Sequence, residues 1–393
     1  MGRIEGILNM AATSTWQPGA PRRTLSGYEA FYPNALPTTL EYPEATVNKL
    51  AAATAAVHRL AGASRLLPSP DILMGPYVRL EAVLSSKIEG TLTTVDDLLV
   101  FEAQERTEAV GDVREVLNYI RALEYAVKRL SDLPLSNRLI REAHAILLDG
   151  VRGEHGTPGE FRTTQNWIGS PGSTIATATF VPPPPDAVGD AMADLEQFLH
   201  DRDLPDLIAI ALAHYQFETV HPFVDGNGRI GRLLIPLMLI ERGILEHPVL
   251  YLSAYFVRNR SRYYDLLNQT RHAGNLFPWI DFFLDGLTTN ARDAENRTVR
   301  LVDLQRGIRE RLLEGRSTAT ALRLAERLLD RPYVTAPLVA RLLDVTFPTA
   351  QKAIDDLQNN GVLKEITGQR RNRVYAALSV IEIAYGEPQP EEA

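Results

Sequence analysis

Apolar residues recur at helical spacing through most of the chain. An Ala-rich amphipathic helix is predicted from Glu44 to about Ala61, and a second from about Asp71 to Glu89, with Asp71 as its cap and Gly90 closing its end. Gly75-Pro76 marks either a kink in this second helix or its true start. Further helices are predicted over Val95–Glu105, Asp112–Leu130, Ser136–Leu148, Asp190–Arg202, Asp206–Val220, from near Gly226 to about Arg242, Arg260–Thr270 and Pro278–Arg292, the last continuing toward Glu314. Two stretches break the pattern. Residues 1–45 are rich in Gly, Pro, Thr and Ser and read as an extended arm, ordered where Tyr28, Phe31 and Tyr32 dock. Gly153–Asp186 is dense in turn formers and β-branched residues and predicts a β-hairpin or flap, with Pro182–Pro185 as a rigid exit.

From Ser317 to Tyr385 the pattern shortens. Ala319–Asp330, Thr335–Asp344 and a segment from Phe347 to Asn359-Asn360-Gly361 read as three helices. Val362–Ile366, a turn at Gly368 and Arg373–Leu378 read as a β-hairpin. This order resembles a winged helix-turn-helix, with Gln369-Arg370-Arg371-Asn372-Arg373 as the tip of the wing. The closing GEPQPEEA reads as an acidic tail. The fold class is therefore mainly α, with one small β element mid-chain and another near the end.

Composition narrows the functional classes. Cysteine is absent, so disulfides, thiolate metal sites and a cysteine nucleophile are excluded. The formal charge is −8, from 41 Lys+Arg against 49 Asp+Glu, so any contact with nucleic acid must be local. The longest apolar run, Leu233 to Ile240, falls far short of a membrane span, which takes about 20 residues. The first residues lack the pattern of a signal peptide, so no membrane partner and a cytoplasmic location are expected.

The densest chemistry lies in His221-Pro222-Phe223-Val224-Asp225-Gly226-Asn227-Gly228-Arg229-Ile230-Gly231-Arg232, between two helical patterns. Proline after His221 ends the first helix. The glycines flanking Asn227 permit a tight turn, and the free N–H groups of the next helix can bind an anion, phosphate above all. Arg229 and Arg232 share a helix face beside that site. Asp225 next to a phosphate cradle suits Mg²⁺. His221 can take a proton from an attacking hydroxyl. His214, two turns earlier, reads as a core histidine.

The twelve residues match every defined position of HPFx[DE]GNGRxxR, and the chain resembles the Fic-domain family over roughly residues 28–290. The resemblance implies a helical enzyme that transfers AMP from ATP to a Ser, Thr or Tyr hydroxyl of a protein and releases pyrophosphate. His221, Asn227 and Arg229 would be catalytic. His221, Gly226, Asn227, Gly228, Arg229, Ile230, Gly231 and Arg232 would bind ATP, and Asp225 would hold Mg²⁺. Asn227 would place the α-phosphate, Arg229 bind the β-phosphate and Arg232 the γ-phosphate. The segment from Tyr251 to Arg260 is similar to the family's adenine and ribose wall, with Asn259 as the nucleotide contact. The flap from Phe161 to Phe180, entered by Gly159-Glu160-Phe161-Arg162, would receive a target segment by strand addition.

Ser85-Ser86-Lys87-Ile88-Glu89-Gly90 resembles the family's inhibitory motif, [ST]xxxE[GN]. It implies that Ser85, Glu89 and Gly90 form a brake in which Glu89 pairs with Arg232, and that the same glutamate can support removal of AMP. The chain then divides into an arm (1–45), an N-terminal helical region with the inhibitory helix (46–110), a catalytic core (111–292), a helical linker (293–316), the winged-helix-like domain (317–386) and the tail (387–393). Expected partners are a protein substrate, the chain itself as acceptor, a second copy in a homodimer, and DNA at 317–386. A DNA-binding regulator that uses the core as a nucleotide sensor is the alternative reading.

Overall fold

The computed structural model describes residues 16–65, 71–104, 111–170 and 172–386. The cap expected of Asp71, residues 1–15 of the arm and the acidic tail lie outside what is described. The observed helices in chain order are α1 (Glu44–Arg65), α2 (Asp71–Ile88), α3 (Val95–Ala103), α4 (Asp112–Arg129), α5 (Asn137–Leu147), α6 (Pro185–His200), α7 (Asp206–Val220), α8 (Asn227–Glu241), α9 (Ser253–Arg258), α10 (Arg260–Ala273) and α11 (Phe277–Glu314). None of the described helices is long and apolar enough to cross a membrane.

A helix that is apolar on every side has to be central. LIAIALAHYQFETV in α7 is buried at every position, and α8 is buried from Asn227 to Leu239 at all but Gly228. These two pack on each other, and α2, α4, α5, α6, α10 and α11 surround them. Ala53, Ala56, Val57 and Leu60 give α1 a small-residue face against α11, flanked by Lys49–Asp285 (2.6 Å) and Arg59–Glu295 (3.2 Å). No break falls at residues 292–293. α11 runs for 38 residues, about 57 Å at 1.5 Å per residue, and buries Leu301, Ile308 and Leu312 as it leaves the core.

The arm carries more structure than its composition suggests. Strands β1 (Gly19–Arg23) and β2 (Glu29–Pro33) pair antiparallel around a turn in which Thr24 accepts from Gly27. Phe31 N–H then donates to the Val181 carbonyl (2.9 Å), and the Phe31 ring packs 5.6 Å from Phe180. The flap is hairpin-like but closes at one antiparallel pair, Ile168 with Phe180. Its polar side chains capture other backbone instead. Gln165 donates to Pro182 O (3.0 Å) and Asn166 to Phe223 O (2.8 Å).

Beyond α11 come α12 (Ala319–Arg327), β3 (Tyr333–Val334), α13 (Ala336–Leu343), α14 (Phe347–Asn359), β4 (Lys364–Glu365), β5 (Tyr375–Ala376) and α15 (Leu378–Tyr385), with sheet order β3-β5-β4. Thr318, Thr335 and Thr346 cap the three helices of the winged order through their hydroxyls. This module docks on α2 and α3. Arg79 of α2, almost fully buried, holds Glu102 (2.9 Å) and Asp330 (3.0 Å). Tyr333 donates to Asp96 (2.9 Å) and Thr335 to Ala103 O (3.2 Å). α2 passes through Pro76 unbroken. Gly75 serves close approach, since a Cβ there would collide with Asp330 Oδ1. Arg297 of α11 donates to Ile383 O (2.8 Å) and Gly386 O (2.7 Å), which fixes α15.

Arg79→Ala removes the cation shared by Glu102 and Asp330 and leaves Asp330 with the more distant Arg331 (3.6 Å). The expected loss is about 2 kcal/mol in chemical denaturation, the scale of hydrogen bonds to charged groups. An unfolding curve superposable on wild type would refute the anchoring role.

Candidate active site

The α7–α8 junction is built by backbone chemistry. Pro222 bars helical geometry at His221, which takes a left-handed conformation (φ 49°) as the C-cap of α7. Gly226 (φ 78°) is the N-cap of α8, and the first intrahelical bond runs from Ile230 N to Gly226 O. The N–H groups of Asn227, Gly228 and Arg229 therefore precede that bond and have no partner within the helix. Asn227 closes the loop with both ends of its carboxamide, accepting from Phe223 N (2.8 Å) and donating to Phe223 O (2.9 Å).

Two residues that motif reading passed over hold this loop. Buried His144 of α5 accepts at Nδ1 from Gly159 N–H (2.8 Å), so its proton sits on Nε2 and goes to Asp225 O (2.9 Å). Its ring stacks on Phe223 with centroids 3.7 Å apart, and burial pushes its pKa down to about 4, which keeps it neutral. Arg162 donates from Nε to His221 O (2.9 Å) and from Nη2 to Pro183 O (2.5 Å), and its own N–H reaches Pro222 O (2.9 Å). It ties both ends of the flap to the loop.

A cavity of about 520 Å³ opens between loop, flap and α10. His221, Asp225, Gly226, Asn227, Gly228 and Arg232 line it together with Glu89, and Glu218, Trp167, Tyr263, Tyr264 and Asn268 complete the wall. Other expected members are placed elsewhere. Ile230 points into the core. Gly231 lies against Glu218, and its carbonyl bonds His214 Nδ1 (2.8 Å), which confirms His214 as a core histidine. Arg229 is buried behind the loop, donating to Glu115 (3.1 Å) and lying 3.7 Å from Asp225, with Nε and Nη2 unpartnered. Asn259 donates to Tyr255 O (3.0 Å) at the break between α9 and α10 and does not line the cavity. Of the rest of its segment Arg260 does line the cavity, while Tyr251 bonds Asp293 (2.5 Å) and Ser253 N–H donates to Glu81 (3.0 Å). The break at Asn259 turns the next helix so that Tyr263, Tyr264 and Asn268 form the wall.

Ser85, Glu89 and Gly90 meet the site from α2. Arg232 donates to Ser85 Oγ (2.9 Å), Ser85 O (3.1 Å) and Glu89 Oε1 (2.6 Å). Gly90 (φ 95°) terminates the helix beside them. A Cβ on Gly228 would collide with Glu89 Oε1, so the carboxylate sits over the first turn of α8. Burial alone would raise the Glu89 pKa, but the adjacent Arg232 charge and hydrogen bond outweigh it and hold the group below its ordinary 4.5. Burial likewise lowers His221, to about 3, helped by Arg271 and Arg162, so its imidazole is neutral at physiological pH.

Among the described residues no group of three or more His, Asp or Glu side chains could hold a metal unaided. Asp225 offers a half-exposed carboxylate at the cavity edge, with Oδ1 accepting from Gly226 N–H (2.6 Å). That donor set fits Mg²⁺, which takes one or two carboxylates plus phosphate oxygens.

Comparison with known proteins places this arrangement. Residues 47–128 match the family model "Fic/DOC family N-terminal" and residues 134–239 match "Fic/DOC family". The chain thus carries both regions of the Fic/DOC family, the N-terminal one and the Fic domain itself. It is 31% identical over 205 residues to the protein adenylyltransferase Fic of Drosophila virilis, a match covering 50% of this chain and 39% of that one. The Drosophila melanogaster counterpart is 29% identical and covered to 38%. The chain thus spans about two fifths of the length of these relatives. A crystal structure of a Fic family protein from Desulfovibrio desulfuricans G20 superposes with a TM-score of 0.56 at 19% identity, over 87% of this chain and 98% of the other, and shows the same fold.

The depressed Glu89 carboxyl stabilises the fold above its unfolded value near 4.5, and that contribution is lost as pH falls through the lower folded value. Glu89→Gln should cost about 2 kcal/mol at pH 7, and the gap to wild type should close as pH falls below the ordinary carboxylate range in denaturation experiments. A gap independent of pH would contradict the ion pair.

Proposed function

We propose that this protein is a self-restrained adenylyltransferase that transfers AMP from ATP to a Ser, Thr or Tyr hydroxyl of a protein. One observation carries the reading: the Glu89 carboxylate lies over the free N–H groups that open α8 and pairs with Arg232, so an anion of this chain stands in the anion cradle facing His221.

In this reading His221 accepts the proton of the target hydroxyl as its oxygen attacks the α-phosphorus, and pyrophosphate leaves. The α8 N-terminus receives phosphate oxygens through the N–H groups of Asn227 and Gly228. Asn227 acts by shaping the loop, because its side chain is already bonded to Phe223. Arg229, with two unpartnered donors beside Asp225, neutralises the β-phosphate from behind the loop. Arg232 takes the γ-phosphate once Glu89 leaves. Asp225 would hold Mg²⁺, which supplies charge neutralisation at the phosphates. Exposed Trp167 and Val224 border the cavity mouth, where the target segment would lie against the open edge of the flap. The same Glu89, with His221, can direct water at an AMP-modified hydroxyl, which makes removal of AMP the companion activity.

Restraint follows from charge. Arg232 is fully buried, and a buried guanidinium that has its anion gains little from a second one. Glu89→Gly should increase AMP transfer at least tenfold, His221→Ala should abolish it, and EDTA should silence the wild type and Glu89→Gly. Intact-mass spectrometry with ATP and Mg²⁺ reads self-modification as the AMP adduct. Incubation with cell extract and labelled ATP reads transfer to other proteins. No adduct or labelled band from Glu89→Gly in either assay would overturn the reading.

A further inference from the structure

Glu218 lies in the last turn of α7, three residues before His221, the left-handed residue that caps it. Its Oε2 is 3.9 Å from His221 Nδ1. Glu218 Oε1 and His221 Nδ1 are both buried without a hydrogen-bond partner. Each unpaired atom carries a desolvation cost in this dry site, and a small rotation that brings the carboxyl onto Nδ1 would remove it. The carboxyl is also confined. A Cβ on Gly231 would stand 2.7 Å from Glu218 Oε1, so the α8 backbone closes the site behind it.

We propose that Glu218 is a positioning residue for His221: its carboxylate takes the Nδ1 proton and leaves Nε2 as the nitrogen with the lone pair. This rests on the transferase reading. In that reaction the hydroxyl proton passes to Nε2 while the bond from oxygen to the α-phosphorus forms and the bond from phosphorus to the pyrophosphate oxygen breaks. The imidazolium so formed is neutralised by Glu218, as in carboxylate–histidine pairs generally.

The electrostatic surroundings make this partner necessary. Arg271 of α10 and Arg162 of the flap disfavour a charged ring at His221, and Glu89, the residue that follows α2, favours one. Around Glu218 stand Arg232 of α8, Arg271 and Tyr263 of α10, and Glu89. Burial raises Glu218 to about 7 and lowers His221 to about 3. The carboxylate form of Glu218 therefore appears as pH rises through about 7, and transfer should rise with it.

The test uses the full chain in the Glu89→Gly background. Glu218→Gln should lower kcat at least tenfold with the KM for ATP within twofold, and should remove the rise in kcat near pH 7. Glu218→Asp should recover part of kcat and restore a pH-dependent limb. Independently of turnover, ¹⁵N-histidine NMR of the wild-type chain at pH 8, with the signal assigned by its loss in His221→Ala, should show the ring protonated at Nδ1. A ring protonated at Nε2, or a Glu218→Gln enzyme with unchanged kcat and pH profile, overturns the proposal. Failure of Glu89→Gly to transfer AMP would overturn the transferase reading instead; because the Glu218 backbone carbonyl also faces the His221 ring, the change in the His221 ring signals and their pH dependence on Glu218→Gln would still decide whether the carboxyl and His221 are paired.

Discussion

A guanidinium that is completely buried cannot stay without an anion, and Arg232 is such a group at the start of the helix that defines the site. Its needs organise the molecule. Ser85 and Glu89 satisfy it, so the end of α2 must lie across the mouth of α8. α2 in turn is anchored at its other end by Arg79, which binds Glu102 and Asp330. The C-terminal module therefore touches the same helix whose far end carries Ser85 to Arg232. In the proposed function, removing Glu89 from Arg232 leaves a buried cation that a phosphate group takes over, so restraint and substrate binding would compete for one charge.

The junction of α7 and α8 achieves order by a different means. Four carbonyls of the loop, those of His221, Pro222, Phe223 and Asp225, are each bound to a group distant in sequence. His144 holds Asp225 O, Arg162 holds His221 O and Pro222 O, and Asn166 holds Phe223 O. Flap and loop thus form one hydrogen-bonded body, and the left-handed His221 is over-determined by its neighbours. Backbone strain of this kind persists only where the surroundings impose it, and here it orients a neutral imidazole into the cavity.

Much of this was legible in advance. The helices from α3 to α8 and the three helices of the winged module follow from periodicity, caps and proline positions, because those signals act within a few residues. The glycine-flanked loop and its arginines were legible for the same reason: turn chemistry and helix-terminus chemistry are local. The β1–β2 hairpin escaped because its stabilisation comes from Phe180 and Val181, some 150 residues away. Asn259 was misplaced because a helix break redirects the following helix, and the direction of a break is set by packing.

Chain order alone therefore specifies that a histidine, a carboxylate, an anion-binding helix start and two arginines stand together, since all lie in twelve consecutive residues. It does not specify how each is used. Arg229 and Arg232 differ by three positions on one helix face, yet one is bound to Glu115 behind the loop and the other to Glu89 in the cavity. His144, Glu218 and Arg162 carry no motif that distinguishes them from ordinary core or surface residues. Their parts arise because burial removes water as an alternative partner, and in its absence each polar group is defined by whatever the fold brings within about 3–4 Å of it.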